Sequence, residues 1–300
     1  MKQTSKFKKE SRLFFEDVLS SYNNNEDQKS IKSFLEYVNS GKEQFIHKVI
    51  LFGEEEIKEY DILTIYSFIN GYYLSQAVLN FQNKKKYEYL LNGYQYSILY
   101  QILHLKKDTF ASGVLGTDLS LIFMLALTYF PEEADLIGEQ LVKFLRYNEE
   151  VKKNHHSEMT GDFGLSSTVY LSSFLAGYYG KKELGGQIQS FCKKDIETCY
   201  KNVVDNLFSM DEAIVNTWVD EMVDFHIRNS KNDLTLPFNH EEWQYFPIEI
   251  ISLLELRLRK GFEISFIENS FLKEFLPHLG ISVPIELDEF TQKLKTRVTG

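Results

Sequence analysis

The sequence predicts an all-α protein, a multi-helix array of antiparallel helical hairpins. Of its 300 residues, 43% are hydrophobic and 15% are aromatic, which is ample for a sizeable core. Apolar residues recur at three- and four-residue spacing in one segment after another, as on the buried side of a helix. No window shows the alternation between turn residues that is typical of a β-sandwich or barrel, and only 5 prolines and 16 glycines interrupt the chain.

The first third of the chain predicts three short helices followed by a long helical hairpin. Polar residues after Tyr22 are typical of a loop, Gly41 ends the second helix, and Gly53 separates the third helix from the hairpin. The short basic connection at residues 83–86 makes the two long helices antiparallel neighbours. The predicted helices cover residues 4–22, 27–40, a segment ending near Phe52, 54–81 and 87–106.

The rest of the chain predicts a second hairpin, a polar interruption and further helices. Residues 147–167 form the longest polar interruption, which favours a subdomain boundary or a functional loop there. The predicted helices cover residues 117–129, 131–146, 167–179, 195–208, 211–228, 247–261, 268–276 and 286–295. We therefore divide one continuous helical unit into an N-terminal hairpin region, residues 1–150, and a C-terminal helical region with an acidic face, residues 151–300.

The helix predicted from Pro247 to Gly261 is the centre of this arrangement. Proline fits the first turn of a helix, and glycine readily adopts the left-handed conformation that ends one. Between them, Ile248, Ile251 and Leu254 follow helical spacing, and further apolar residues widen the same side. A helix with so broad an apolar side is expected to lie in the core.

The pair Gly-Tyr recurs within predicted helices, at Gly71, Gly93 and Gly177. Glycine inside a helix costs about 1 kcal/mol relative to alanine, so close contact between helices is the simplest compensation. The recurrence also permits a solenoid of helix pairs, although its spacing does not match a 34-residue repeat. A helical-repeat scaffold that binds peptides in a groove lined by these helices is thus one alternative function.

Common catalytic signatures are absent from the sequence, which contains no P-loop, dinucleotide-binding fingerprint, zinc-protease motif or nucleophile elbow. We therefore expect no cofactor. Cys192 and Cys199 are seven residues apart, too far for a disulfide on one helix, so free thiols in a reducing cytoplasm are expected. The basic start lacks the apolar segment of a secretory signal, and the apolar run at residues 119–130 is shorter than a membrane helix requires.

Two places carry residue types that suggest chemistry. A loop at residues 155–162 could gather imidazoles and carboxylates around a divalent ion, which gives a metal-dependent hydrolase as a second alternative function. On a later helix, Asp224 or Glu221 could prepare His226 for proton transfer. A solvated polar loop and a helix-surface histidine are the simpler interpretations. The candidate metal ligands are His155, His156, Glu158 and Asp162.

Acidic residues are concentrated in one fifth of the chain. Residues 202–255 contain eleven acidic and two basic residues, a balance of −9, whereas the whole chain carries −10. Such a surface would attract a basic protein and repel nucleic acid, although acids also line ordinary solvated helices. We expect no nucleic-acid or membrane partner. The predicted partner-binding residues are Asp211, Glu212, Asp220, Glu221, Asp224, Glu241 and Glu242.

The chain resembles the large all-helical immunity proteins of bacterial polymorphic-toxin and contact-dependent competition systems. The resemblance lies in the aromatic-rich helices, the acidic balance and the segment Trp243-x-Tyr245-Phe246-Pro247-Ile248-Glu249-Ile250, which leads to Leu256-Arg257 and Gly261. It covers mainly the last third of the chain. It implies a non-enzymatic cytoplasmic protein that binds and neutralises a cognate toxin, and the acidic surface suggests a basic toxin such as a nuclease.

Overall fold

The computed structural model describes residues 2–22, 25–51, 54–155, 165–192, 196–233 and 235–300. The fold is predominantly helical, so the predicted all-α class is confirmed. The chain forms two compact units. Unit 1 contains the chain up to Ser11 and Ser112–Pro284, and unit 2 contains Arg12–Ala111 and Ile285–Gly300. The boundary predicted at residues 150 and 151 falls inside a helix, Ala134–His155.

Unit 2 combines a helical hairpin with a two-stranded sheet. Helix α1, which begins in unit 1, spans Lys2–Ser21. The remaining elements are α2 (Asn25–Ser40), β1 (Gln44–Leu51), β2 (Glu54–Asp61), α3 (Ile62–Lys84), α4 (Tyr87–Lys106) and α13 (Glu289–Thr299). The predicted hairpin is confirmed, because α3 and α4 pack against each other along their lengths.

The β1–β2 hairpin corrects the sequence prediction. We expected a short helix ending near Phe52 and a long helix over residues 54–81. Residues Gln44–Leu51 and Glu54–Asp61 instead pair as antiparallel strands, with Gln44 opposite Asp61 and Leu51 opposite Glu54, and the long helix begins at Ile62. The reason is visible in the burial of β1, where Phe45, His47 and Val49 are buried. Alternate residues point to one face of a sheet, so this segment has the period of a strand.

Gly93 explains how closely α3 and α4 approach. A Cβ atom built on Gly93 would lie 2.2 Å from Ala77 Cβ, so only glycine allows this contact. The same explanation is wrong for Gly177, where nothing lies within 4 Å of a built Cβ. At Gly71 the nearest atom, Tyr22 Oη, is 3.6 Å away, an ordinary contact distance.

Unit 1 is built around two buried helices, α5 (Gly116–Tyr129) and α12 (Ile248–Arg259). They are joined by buried polar contacts. Ser252 Oγ lies 2.9 Å from Thr128 Oγ1, and Tyr129 Oη donates to Glu255 Oε1 at 3.0 Å. The other helices are α6 (Ala134–His155), α7 (Leu165–Tyr178), α8 (Lys182–Gln189), α9 (Thr198–Asn206), α10 (Glu212–Arg228) and α11 (Glu241–Tyr245).

The prediction for α12 is confirmed at both ends. Pro247 caps the helix, and Gly261 follows it with φ of +82°. In contrast, α8 and α11 were not predicted, and residues 268–276 contain a short 3-10 turn, Leu272–Glu274, in place of the expected helix. Among the described residues, none of the helices combines the length and apolar composition needed to cross a membrane.

Candidate protein-binding surface

The candidate site begins at the N-terminus of α10. Asp211 is the N-cap, and its Oδ1 accepts hydrogen bonds from the backbone N–H of Ala213 at 2.9 Å and of Ile214 at 3.4 Å. Glu212 follows in the first turn, where the helix dipole favours negative charge. The start of α10 is therefore an acidic terminus whose first carboxylate is held in place by the helix backbone.

Helix α10 has one buried and one exposed side. The buried side includes Val215, Trp218 and Met222, whereas Asp220 and Asp224 are exposed. On a regular helix Asp220 and Asp224 are about 40° apart, and Glu221 is about 60° from Asp224. The distance along the axis from the cap to Asp224 is about 20 Å. By the same geometry, Asp211 and Glu212 lie about 180° around the axis from Asp220 and Glu221, respectively, so the acids occupy the N-terminus and one side of α10. We call these five carboxylates, Asp211, Glu212, Asp220, Glu221 and Asp224, the acidic surface.

Two carboxylates of the acidic surface accept hydrogen bonds from asparagine amides. Asn269 Nδ2 donates to Asp220 at 2.7 Å, and Asn202 Nδ2 donates to Glu221 at 2.9 Å. The Nε–H of Arg228 donates to the backbone carbonyl of Asp224 and not to its carboxylate. Within the described chain, no lysine or arginine lies in ion-pair distance of these five carboxylates. The amides orient two of them while leaving the negative potential intact.

Two apolar side chains project beside the acidic cap. Met210 is 88% exposed and Ile214 is 40% exposed, and both flank Asp211 in the sequence. Large exposed apolar side chains are unfavourable in water and often mark places where another molecule binds. Methionine in particular adapts to the shape of a partner. Exposed apolar side chains next to charged ones are a feature of protein-binding surfaces, and here they lie at the N-terminal end of α10.

An aromatic cluster supports the loop that carries Met210. Phe208 packs against Tyr178 of α7 with ring centroids 5.3 Å apart, and against Phe262 at 5.4 Å. Arg257 of α12 donates to the carbonyl of Leu207, which fixes the preceding residue of the same loop. These contacts attach the loop to the buried helix α12, so Met210 is exposed on an ordered loop.

The chain matches no known protein-family model, no curated protein and no solved structure. The assignment of this surface therefore depends on its own geometry. Its five carboxylates are among the partner-binding residues predicted from the sequence, whereas Met210 and Ile214 were not predicted. A signal was present, because Met210 stands in a polar loop directly before a helix cap, where core packing does not require methionine.

Glu241 and Glu242, predicted as part of the same surface, lie on a different element. Helix α11 packs against the buried side of α10, since Gln244 carbonyl oxygen is 3.0 Å from His226 Nε2. Glu241 accepts a bond from Asn232 at 2.6 Å. Desolvation raises the pKa of Glu242 to about 7, against the opposing effect of nearby His240. The structure thus brings five of the seven predicted residues to α10 and places these two elsewhere.

Two of the eleven acids in residues 202–255 do not lie on the surface. Glu249 and Glu255 are buried in α12. Glu255 Oε1 accepts bonds from Tyr129 Oη and from the backbone N–H of Gly280, both at 3.0 Å. Burial also raises the pKa of Glu255. The balance of −9 counted from the sequence therefore overstates the surface charge of this segment.

The sequence suggested that Asp224 or Glu221 prepares His226 for proton transfer, but the partners of the His226 ring are Glu249 and Gln244. Its ring is buried, with Nδ1 2.6 Å from Glu249 Oε1 and Nε2 3.0 Å from the carbonyl oxygen of Gln244. A carbonyl oxygen only accepts, so Nε2 is the donor in its contact with Gln244. Both nitrogens are committed to internal bonds. This histidine joins α10, α11 and α12.

The candidate metal ligands fall largely outside the described residues. His156, Glu158 and Asp162 lie in the segment 156–164, which the structure does not describe, and the side chain of His155 is not described either. Among the residues that are described, no cluster of three histidine, cysteine or acidic side chains could hold a metal ion. Burial raises the pKa of the Cys192 thiol to about 11 and of Cys199 to about 12, so neither is an activated thiolate.

Proposed function

We propose that this protein binds a basic partner protein through the acidic surface of α10. The observation that carries the proposal is Met210, 88% exposed beside carboxylates that have no cationic partner in the described chain. A buried apolar anchor surrounded by polar groups is the usual source of binding energy in protein interfaces. The carboxylates would accelerate the encounter and select partners of opposite charge.

The form of this function that we favour is an immunity protein, which binds a cognate toxin stoichiometrically and keeps it inactive. The resemblance of the Trp243–Gly261 segment to large helical immunity proteins supports it. A toxin that acts on nucleic acid needs a basic surface for phosphate, and an acidic protein surface competes for that region. In the complex, Met210 and Ile214 would then make apolar contacts with the toxin beside the charged residues.

The rigidity of the surface also favours binding. Asp211 is fixed by backbone bonds, and Asp220 and Glu221 are oriented by asparagine amides. Side chains that are already ordered lose less entropy when they bind. The proposal therefore requires no rearrangement of α10.

The test uses the protein encoded immediately upstream of this chain as the probe. The variant Asp220→Lys/Glu221→Lys/Asp224→Lys is expected to slow association by roughly tenfold or more at low salt and to weaken its salt dependence, because opposite charges no longer attract. The matched control is Glu139→Lys/Glu150→Lys/Glu183→Lys, which makes the same charge change at exposed positions of other helices.

Association rates would be measured by stopped-flow fluorescence between 20 and 300 mM salt (approximate range). The control variant is expected to lose only the part of the rate that depends on net charge. Met210→Ala is expected to raise the dissociation rate with little change in association, since apolar contacts form after the encounter. Equal association rates for the two triple variants would refute the assignment of this surface.

A further inference from the structure

The β1–β2 hairpin of unit 2 is a sheet that is packed on one face only. Phe45 and Val49 are buried, and His47 Nε2 lies 2.8 Å from Ser33 Oγ of α2. On the opposite face, Ile46 and Ile57 are each 70% exposed. Lys48 and Glu55 form an ion pair at 2.5 Å on that face. Two exposed isoleucines on one small sheet call for an explanation, because the rest of unit 2 buries its large β-branched side chains well.

The contacts of β1 show which way the backbone groups point. Lys29 Nζ of α2 donates to the carbonyl oxygen of Lys48 at 2.7 Å, so this carbonyl points away from β2. Lys48 is opposite Ile57. In an antiparallel pair the bonded and non-bonded positions alternate, so Ile57 also directs its N–H and C=O away from the hairpin. Glu55 and Glu59, two residues on either side, do the same.

The outer edge of β2 is therefore free to accept a strand. Within the described chain, no backbone group of residues 54–60 bonds to backbone outside the hairpin. Residues 54–57 are all exposed. The edge of β1, in contrast, is met by Lys29. An open edge of this kind pairs readily with another extended segment.

The charges on β2 indicate what kind of segment fits. Glu54, Glu55, Glu56 and Glu59 are exposed, with Lys58 as the only basic residue of this strand. A second copy of this chain would be repelled. In the antiparallel register that pairs two Ile57 side chains, Glu55 of one copy would stand against Glu59 of the other, and like charges directly opposite are unfavourable.

We propose that the edge of β2 binds an extended basic segment of a partner protein by strand addition. The segment has the pattern basic-x-apolar-x-basic. Its apolar residue lies beside Ile57, and its basic residues lie beside Glu55 and Glu59. Main-chain hydrogen bonds supply the affinity and the alternate side chains supply the selectivity. This site lies in unit 2 and does not depend on the acidic surface of α10.

The first experiment uses the peptide acetyl-Thr-Lys-Thr-Ile-Thr-Lys-Thr-amide with a fluorescent label, titrated with the full chain and followed by polarisation. The variant Glu55→Lys/Glu59→Lys is expected to weaken binding by about tenfold, because two attractive cross-strand pairs become repulsive. The same variant is expected to prefer the peptide in which both lysines are replaced by glutamate. An unchanged peptide preference would overturn the proposal.

The second experiment tests the backbone. Ile57→Pro and Ile46→Pro form a matched pair, since both side chains are equally exposed and both N–H groups point outward, one from each edge. Proline is tolerated at the solvent side of an edge strand. Only Ile57→Pro is expected to abolish peptide binding. Equal loss in both variants, with both folded by circular dichroism, would overturn the proposal.

A third experiment modifies the peptide instead of the protein, and it applies if either proline variant does not fold. Methylating alternate backbone amides of the peptide removes the donors on one of its edges at a time. One alternate set is expected to abolish binding and the other to leave it intact, because only one edge of the peptide meets β2. Equal tolerance of both sets, or a dimer of this chain that Ile57→Pro dissolves, would overturn the proposal.

Discussion

Gly93 and Gly177 form a pair of helical glycines with opposite surroundings. We expect Gly93→Ala to destabilise the protein by about 1–3 kcal/mol, since the new methyl group would lie 2.2 Å from Ala77 Cβ and overpack the α3–α4 contact. The gain in helix propensity, about 1 kcal/mol at most, is too small to compensate. Urea unfolding of the variant, followed by far-UV circular dichroism, measures the change.

Gly177→Ala serves as the control for that substitution. Nothing lies within 4 Å of a built Cβ at this position near the end of α7, so only the propensity term acts. The free energy of unfolding is expected to rise by a few tenths of a kcal/mol. If the two alanine variants changed stability in the same direction, close packing would not be the reason for glycine at Gly93.

The same contrast shows what sequence can and cannot reveal about single residues. Asp211 was predicted correctly at a helix start, because caps have a local signature. The burial of Glu249 and Glu255 was not predicted. Their partners, His226 and Tyr129, are distant in the sequence, and only the folded chain brings a histidine ring or a tyrosine hydroxyl to the carboxylate.

Asp211 affects both the stability of α10 and the charge of the acidic surface. Asp211→Ala removes the cap and is expected to lower the free energy of unfolding by about 1 kcal/mol. Asp211→Asn is expected to keep stability close to that of the wild type, since asparagine is an equally good cap. It removes one charge of the acidic surface, so it is expected to slow partner association modestly. Thermal unfolding and stopped-flow association separate the two effects.

Asp220→Asn is the comparison for these cap variants. Its side chain is exposed and lies in the middle of the helix, so the substitution is expected to leave stability unchanged while slowing association as Asp211→Asn does. A loss of stability in Asp211→Asn equal to that in Asp211→Ala would show that the charge, and not the hydrogen-bonding cap, supports α10.

At the scale of elements, sequence reasoning succeeded where the signals were local and periodic. The α3–α4 hairpin and α12 followed from apolar spacing and from the proline and glycine at the ends. It failed at β1 and β2. Residues 54–61 contain many glutamates, which favour helix, and their strand conformation comes from pairing with β1 and from the burial of Phe45 and Val49. Because this cause lies in tertiary packing, the sequence of β2 alone gives little sign of it.

At the scale of the whole molecule, net charge is a poor guide to where charge acts. The chain carries −10, yet two of its acids lie in the core helix α12 and another, Glu242, has a pKa raised to about 7. Among the described residues, exposed acids lie on α10 and on β2, which belong to different units, and on several other helices. A count along the chain does not separate the acids that face solvent from those in the core.

Glu242 makes the stability of the protein depend on pH near neutrality. Its pKa is about 7 in the folded chain, above the usual 4.5, because desolvation disfavours the carboxylate. The folded state therefore binds more protons than the unfolded state between these values, and stability falls as pH rises from about 4.5 to 7. Asp118 acts in the same direction, since burial raises its pKa as well, and His240 opposes both.

Glu242→Gln removes this titration and is expected to raise the thermal midpoint at pH 8 more than at pH 5.5, because the neutral amide avoids the desolvated negative charge at high pH. The decline of stability between these pH values should become shallower. The neighbouring variant Glu241→Gln leaves the desolvated carboxyl group in place and removes only the smallest cause of its raised pKa, so its slope is expected to stay close to that of the wild type. Parallel pH profiles for all three proteins would mean that Glu242 is ionised in the folded chain throughout this range, with a cation or an ordered donor stabilising it.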